Sequence, residues 1–202
     1  KAGNTVALIV SDMSRFWMRQ DLVVPHLVDY LTERCGVRED DITIVIANGT
    51  HTGGDEAELR TLVTDAVYDR ITVENHNCDS DDLVYLGTTP HGTPVSINRT
   101  AALADMVICL GAATHHVMAG FGGGRKSILP ETIFHNHAFS LDAAALRSNP
   151  AVGNGILQGN PLHEDMCEAA GLVKNLFMVN LVMNTQMRLA AIFSGHYLTS
   201  WE

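Results

Sequence analysis

"TVALIVSD", residues 5–12, is a short apolar run rich in strand-forming residues that stops abruptly at Ser-Asp. It is too short for a typical helix, and its unbroken apolar character suits a strand buried on both faces. "DITIVIANGTH", residues 41–51, repeats the plan with Ile, Val and Thr. Between the two, "LVVPHLVDYLTERCG" spaces its apolar residues at helical intervals, with Gly36 as the stop signal. After the second run, "GDEAELRTLVTDAVYDRI" puts acidic residues in a first helical turn and apolar residues at every third or fourth position. Strand, helix, strand, helix predicts an α/β fold with a mostly parallel sheet flanked by helices.

Downstream, "ITVENHNCDSDDLVYLGTTPHGTPVSI" carries the alternation and turn residues of short strands and a hairpin. "NRTAALADMVICLG" returns to a helix and a buried strand. "NPLHEDMCEAAGLV" reads as a late helix, and "LFMVNLVMN" with "MRLAAIFSG" as a closing strand pair. There is no internal repeat and no low-complexity tract. In open parallel sheets, ligands gather where loops leave the carboxyl ends of the strands. "SDMSR" (11–15), "NGTH" (48–51) and "GAATHH" (111–116) each follow a predicted strand, so they are expected to line one crevice.

A length of 202 residues with 46% hydrophobic content is enough for one sizeable core. A net charge of −10 with only 13 Lys and Arg argues against nucleic acid as a partner and favours small molecules. No apolar run approaches the roughly 18 residues of a membrane span, and the opening "KAGNTVALIVSD" lacks signal-peptide layout. No membrane association and a cytoplasmic location are the expectations. The four cysteines are scattered without a C-x-x-C pair, which predicts reduced thiols of mostly structural role.

The densest chemistry lies in "HHVMAGFGGGRKSILPETIFHNH", residues 115–137. A P-loop needs Gly immediately before its Lys, but Arg125 stands there, and the G-x-G-x-x-G dinucleotide pattern fails at the same residue. What remains is a run of backbone N–H groups, Gly122, Gly123 and Gly124, able to curl around an anion, with Arg125 and Lys126 as adjacent charge. The bland alternative is a flexible surface turn with a solvated basic pair. His51 ends a strand and His116 sits at the mouth of the glycine loop; both suit proton transfer or metal binding. His135 and His137, two apart on a predicted helix, cannot both face one metal, and no closed zinc pattern is present. His26, His91, His163 and His196 are assigned to surface or packing roles, and His76 is little stronger as a functional candidate. In "SDMSR", Arg15 offers a fork for a carboxylate and Asp12 can orient a base, against a bland reading in which Ser11 or Asp12 only caps a helix.

Taken together these segments resemble the nickel-dependent lactate racemase family, specifically its N-terminal domain. "SDMSR", "NGTH", "LGTTPHGTPVSINR", "HHVMAGFGGGRKSILP", "ETIFHNH", "NPLHEDMCEAA" and the run from "NLVMN" to "FSGH" occur in the family's order. The resemblance implies a Rossmann-like domain over residues 1–202 and a nickel pincer nucleotide, a pyridinium dithio-acid mononucleotide, attached covalently at Lys126. Gly122, Gly123, Gly124 and Arg125 would line it. His137 would complete the nickel coordination, His51 and His116 would be the acid/base pair, and Asp12 and Arg15 would orient a small 2-hydroxy acid. The implied reaction is inversion at Cα by reversible hydride transfer, which avoids forming a carbanion. The family's C-terminal domain, expected to close the cleft, is absent from these residues. Thr52 stands where the family commonly has arginine and Phe16 where it has proline, and "LPETI" is shorter than the usual Pro-Gly loop; a substrate pocket different from that of lactate racemase is expected. The competing expectations are a divalent-metal hydrolase, which would need several protein ligands, and an inactive nucleotide- or anion-binding module.

Overall fold

The computed structural model describes residues 3–129, 148–198 and 200. A six-stranded sheet organises them. Strand β1 (Val6–Ser11) is central, with β2 (Ile42–Ala47) and β3 (Thr72–Asn75) on one side. On the other side lie β6 (Met106–Ala112), β9 (Leu176–Met183) and β10 (Leu189–His196). Four of the pairings are parallel, and β10 runs antiparallel to β9 as the closing pair. The chain thus builds outward from β1 in one direction and then returns to its other side. That reversal places the switch point, where α/β sheets hold ligands, at the carboxyl ends of β1 and β6.

The strands are apolar throughout because both faces are covered. Val6, Leu8 and Val10 of β1 join Ile42, Ile44 and Ile46 of β2 in one core, beneath α1 (Val24–Asp29), α2 (Glu56–Val63) and α3 (Asp65–Tyr68). Ala7, Ile9, Val45 and Cys109 point the other way, against α4 (Arg99–Leu103) and α5 (Pro161–Gly171). This is period-2 sorting into two layers, as the continuous apolar runs require. The hairpin of β4 (Val84–Thr88) and β5 (Pro94–Ile97) lies outside the main sheet, as does the two-residue pairing of β7 (His115–His116) with β8 (Gly120–Phe121).

Two helices depart from expectation. The first ends in a wider π turn over Tyr30–Arg34 before Gly36 takes its positive φ. The second breaks at Thr64, which adopts φ 77° and divides α2 from α3. Leu59, Val63 and Val67 keep the four-residue interval across the break, so hydrophobic spacing gives no sign of it. Among the described residues no helix is long and apolar enough to cross a membrane.

Candidate active site

Three loops leave the carboxyl edge of β1, β2 and β6, and they carry the residues singled out from sequence. After β1, Asp12 starts a 3-10 turn (Met13–Met18) but makes no side-chain cap, so the bland capping reading fails. Its carboxylate instead turns outward: Oδ2 meets His51 Nδ1 at 2.5 Å, and Oδ1 accepts from Ser14 Oγ at 2.6 Å. Arg15 Nη1 donates to the same Ser14 hydroxyl at 3.1 Å. A carboxylate on Nδ1 fixes that nitrogen as the donor, leaving the Nε2 lone pair of neutral His51 as the base.

The loop bearing His51 is held by two asparagines that carried no signal in sequence beyond their place at strand ends. Asn75 accepts from Gly54 N and Asn48 Nδ2, both at 3.1 Å, and donates to Gly54 O at 2.8 Å. Asn48 also donates to His76 O, while its backbone carbonyl accepts from His51 N. His51, Thr52 and Asn75 to Asp79 line a cavity of about 380 Å³.

The glycine loop is the opposite of a solvated turn. Residues 122–129 are all buried, and Gly124–Ser127 forms a 3-10 turn pressed onto β6 and β9.

 Every one of those eight residues is interior. A Cβ on Gly111 of β6 would lie 2.6 Å from Gly124 N, so the strand and the loop touch backbone to backbone. The anion-cradle reading narrows accordingly. Gly122 N donates to Thr114 O at 2.7 Å and Gly124 N to Asn180 Oδ1 at 2.8 Å, which leaves Gly123 as the donor of the run. Asn180 is fully buried in the middle of "LFMVNLVMN", and a lone polar residue in an apolar strand is the sequence signal that such a partner exists.

Arg125 is likewise not a charge beside a ligand. Its buried guanidinium donates to the carbonyls of Gly122, Ala119 and Phe121 at 3.2 to 3.3 Å and lies against the Cys167 thiol of α5. Burial pushes its pKa down to about 10, with the thiol opposing that shift. Burial and the nearby Arg125 charge bring His163, one turn before Cys167, down to about 4. Arg125 therefore braces the loop from behind while Lys126, the next residue, lines the cavity in front.

That front cavity, about 240 Å³, is walled by Ser11, Arg15, Gly122, Gly123, Lys126 and both His115 and His116, with Trp17 and Met18 on the apolar side. Among the described residues that line it are three kinds of cationic or cation-forming side chain and no carboxylate. His116 Nδ1 accepts from the backbone N–H of Met118 and Ala119 at 3.2 and 3.0 Å. The neutral ring then carries its proton on Nε2, so it donates where His51 accepts. To take a proton on Nε2, His116 must first release those two backbone bonds. The structure thus gathers Arg15, His116, Lys126, Gly122 and Gly123 on one cavity, links Asp12 and His51 to it through Ser14 and Arg15, and turns Gly124 and Arg125 inward. His135, His137 and the short "LPETI" segment lie outside the described residues.

A mostly parallel sheet with a buried glycine-lysine loop and an Asp-His pair at its switch point defines an α/β domain with a cation-lined cleft. The model of the lactate racemase N-terminal domain matches residues 1–148, and the chain belongs to that family. Lactate racemase of Thermoanaerobacterium thermosaccharolyticum is 30% identical over 197 residues, covering 95% of this chain and 44% of the relative. That of Lactiplantibacillus plantarum is also 30% identical, over 95% of this chain and 45% of the relative. The solved apoprotein of the first enzyme superposes with a TM-score of 0.87 at 28% identity, covering 96% of this chain and 46% of its own. A solved protein from Thermotoga maritima, 21% identical, shares the fold with a TM-score of 0.76 over 95% of this chain and 50% of its own. The chain therefore spans less than half the length of the curated relatives it matches.

Proposed function

We propose that the chain is the cofactor-bearing part of a racemase or epimerase that inverts the Cα centre of a small 2-hydroxy acid. The observation that carries this reading is the pairing of a carboxylate-free, cation-lined cavity around Lys126 with the Asp12–His51 dyad beside it. The relatives' names supply the reaction class, lactate racemisation.

The residues fit an anionic mononucleotide joined at Lys126. The lysine lines the cavity wall, Gly123 leaves room for close backbone approach, and the lack of acidic side chains among the described lining residues suits a phosphate. His137 is the proposed protein ligand for nickel. The nickel pincer nucleotide supplies a reversible hydride acceptor when bound. The chain's own residues do the rest. Arg15 would hold the substrate carboxylate with its planar fork. His51 Nε2 would take the 2-hydroxyl proton, with Asp12 stabilising the imidazolium that forms. His116 would hydrogen-bond the oxygen from the other side and, once its Nδ1 bonds are released and that nitrogen takes a proton from water, return the Nε2 proton and remain a neutral imidazole. Trp17 and Met18 would keep water from the reacting carbon. A second domain is proposed to close the cleft.

A hydrolase would need several protein ligands around one ion. Among the described residues, three groups within reach of one another are His91, Asp165 and Glu168, and these pin the β4–β5 hairpin to α5 rather than facing His51 or His116.

The test is racemisation of a 2-hydroxy acid in heavy water by the full-length, cofactor-loaded protein. The product is expected to keep protium at Cα while the hydroxyl exchanges. Substantial solvent deuterium at Cα would overturn hydride transfer, and an unchanged adduct mass in Lys126→Ala would overturn the attachment site.

A further inference from the structure

Five buried side-chain polar atoms have no partner among the described residues, and three of them belong to two hydrogen-bonded residues: Oδ1 of Asn48 and both ring nitrogens of His76. The two residues are joined, since Asn48 Nδ2 donates to the His76 carbonyl at 3.1 Å. His76 is 3% exposed and belongs to the wall of the cavity of about 380 Å³ that His51 also lines, with its two ring nitrogens turned out of contact with that space. Leaving an imidazole buried without partners is costly, and a protein keeps such a group where something else completes it. The reaction described above uses His51 and makes no use of His76.

The wall chemistry selects what fits. There is no Lys or Arg among the described lining residues, and Asp79 stands at the exposed rim, so an anionic group is disfavoured. Desolvation holds the His76 pKa down at about 4, which keeps the ring uncharged at neutral pH and able both to donate and to accept. An apolar group would leave its nitrogens as unsatisfied as before. A cationic group would find only the solvent-screened Asp79. An uncharged hydroxyl matches, because it too donates and accepts. Thr50, Thr52, Asn75 and Asn77 continue the polar lining. The cavity also adjoins the proposed base: Asp12 holds Nδ1 of His51, whose ring lines this space.

Resting on the racemase reading, we propose that this cavity receives the side chain of the substrate and that His76 selects a 2-hydroxy acid whose chain carries further uncharged hydroxyls, the imidazole turning to pair with one of them. Thr52 opens the same wall with a short hydroxyl side chain.

The experiment compares kcat/KM of the full-length, cofactor-loaded protein for lactate, 2-hydroxybutyrate, glycerate and a four-carbon trihydroxy acid such as threonate. The hydroxylated acids are expected to exceed 2-hydroxybutyrate by about tenfold or more, the discrimination a site built to bond a hydroxyl can reach. His76→Leu should collapse that ratio, whereas His76→Gln, which keeps a donor and an acceptor, should retain most of it. Imidazole nitrogen resonances of His76 should also shift when threonate is titrated into the wild-type protein, a readout that survives if His76→Leu does not fold. Racemisation of lactate with no preference for hydroxylated chains, or an unmoved His76 signal at saturating threonate, would overturn the assignment while leaving the racemase reading standing. No inversion of any of the four acids would overturn that reading itself and this assignment with it.

Discussion

The two loops that flank β1 present their chemistry in opposite ways. The Lys126 loop is built into the interior: its glycines touch β6 directly, Asn180 takes one of its amides, and Arg125 ties three of its carbonyls from behind. The His51 loop is exposed, and side chains hold it: Asn75 staples Gly54, Asn48 reaches from β2's end to His76, and Asp12 reaches across to the imidazole. Lys126, the proposed attachment point, is placed by packing. His51, the proposed base, is left accessible and oriented by hydrogen bonds, which permit small movements without opening the core.

The contrast can be broken most strongly at Asp12. Asp12→Asn keeps the shape but can present an N–H to His51 Nδ1, favouring the tautomer without a lone pair on Nε2. Turnover of the full-length, loaded protein is expected to fall by about a thousandfold with little change in stability, since general base catalysis contributes on the order of 10²–10⁴. A loss of less than tenfold in steady-state racemisation would show that His51 needs no orienting carboxylate.

Gly111→Ala tests the packed side. Its Cβ would meet Gly124 N at 2.6 Å and Gly123 C at 2.7 Å, both backbone atoms that cannot swing away. A stability loss of about 3 kcal/mol is expected by chemical denaturation. The loop must then shift, and attachment at Lys126 should decline in the intact mass.

Acid should weaken the His51 side by a comparable amount. The buried His76 has its pKa lowered from 6.5 to about 4 by desolvation. Between those values the unfolded chain binds the extra proton and the folded chain does not, so stability is complete above about pH 6.5 and falls as pH drops towards 4. The loss approaches about 3 kcal/mol. His163 shifts the same way, from burial and the Arg125 charge. His91 opposes them: Glu168 raises its pKa, so its contribution is present at low pH and is lost as pH rises through the raised value. Thermal melts from pH 7 to 4 should show the net fall, and His76→Gln should flatten it.

The smallest effect is expected at Asn75. Asn75→Ala removes both bonds to Gly54 and the one to Asn48, at a cost of about 2 kcal/mol. Amide hydrogen exchange should rise in residues 49–54 and stay unchanged in 122–127. Equal rises in both would show that the two loops are not independently supported.

Much of the fold was legible because the apolar runs of β1, β2 and β6 can only be strands buried on both faces, and their polar endings marked where loops begin. "SDMSR" and "GAATHH" do line one cavity for that reason, whereas "NGTH" lines a second one and meets the first segment through the Asp12–His51 contact. The roles of individual side chains at the site were less legible. Arg125 and Gly124 looked like parts of an anion cradle because sequence shows which groups can bind an anion, not which are already satisfied. Asn48 and Asn75 were overlooked because their partners lie 21 to 28 residues away in the chain.

By itself the sequence determined the layering, since a pattern of period 2 or 3.6 states which faces must leave water before any contact is known. It also determined the chemical inventory, namely imidazoles, a lysine beside glycines, and an Asp-Arg pair. Tertiary structure alone decided how that inventory is used. Pairing β1 with β2 and β6 brought Asp12 to His51, turned Arg125 towards carbonyls instead of solvent, and buried the His76 ring nitrogens without a partner among the described residues. Those outcomes depend on distances of a few ångströms between segments far apart in the chain, which no local pattern encodes.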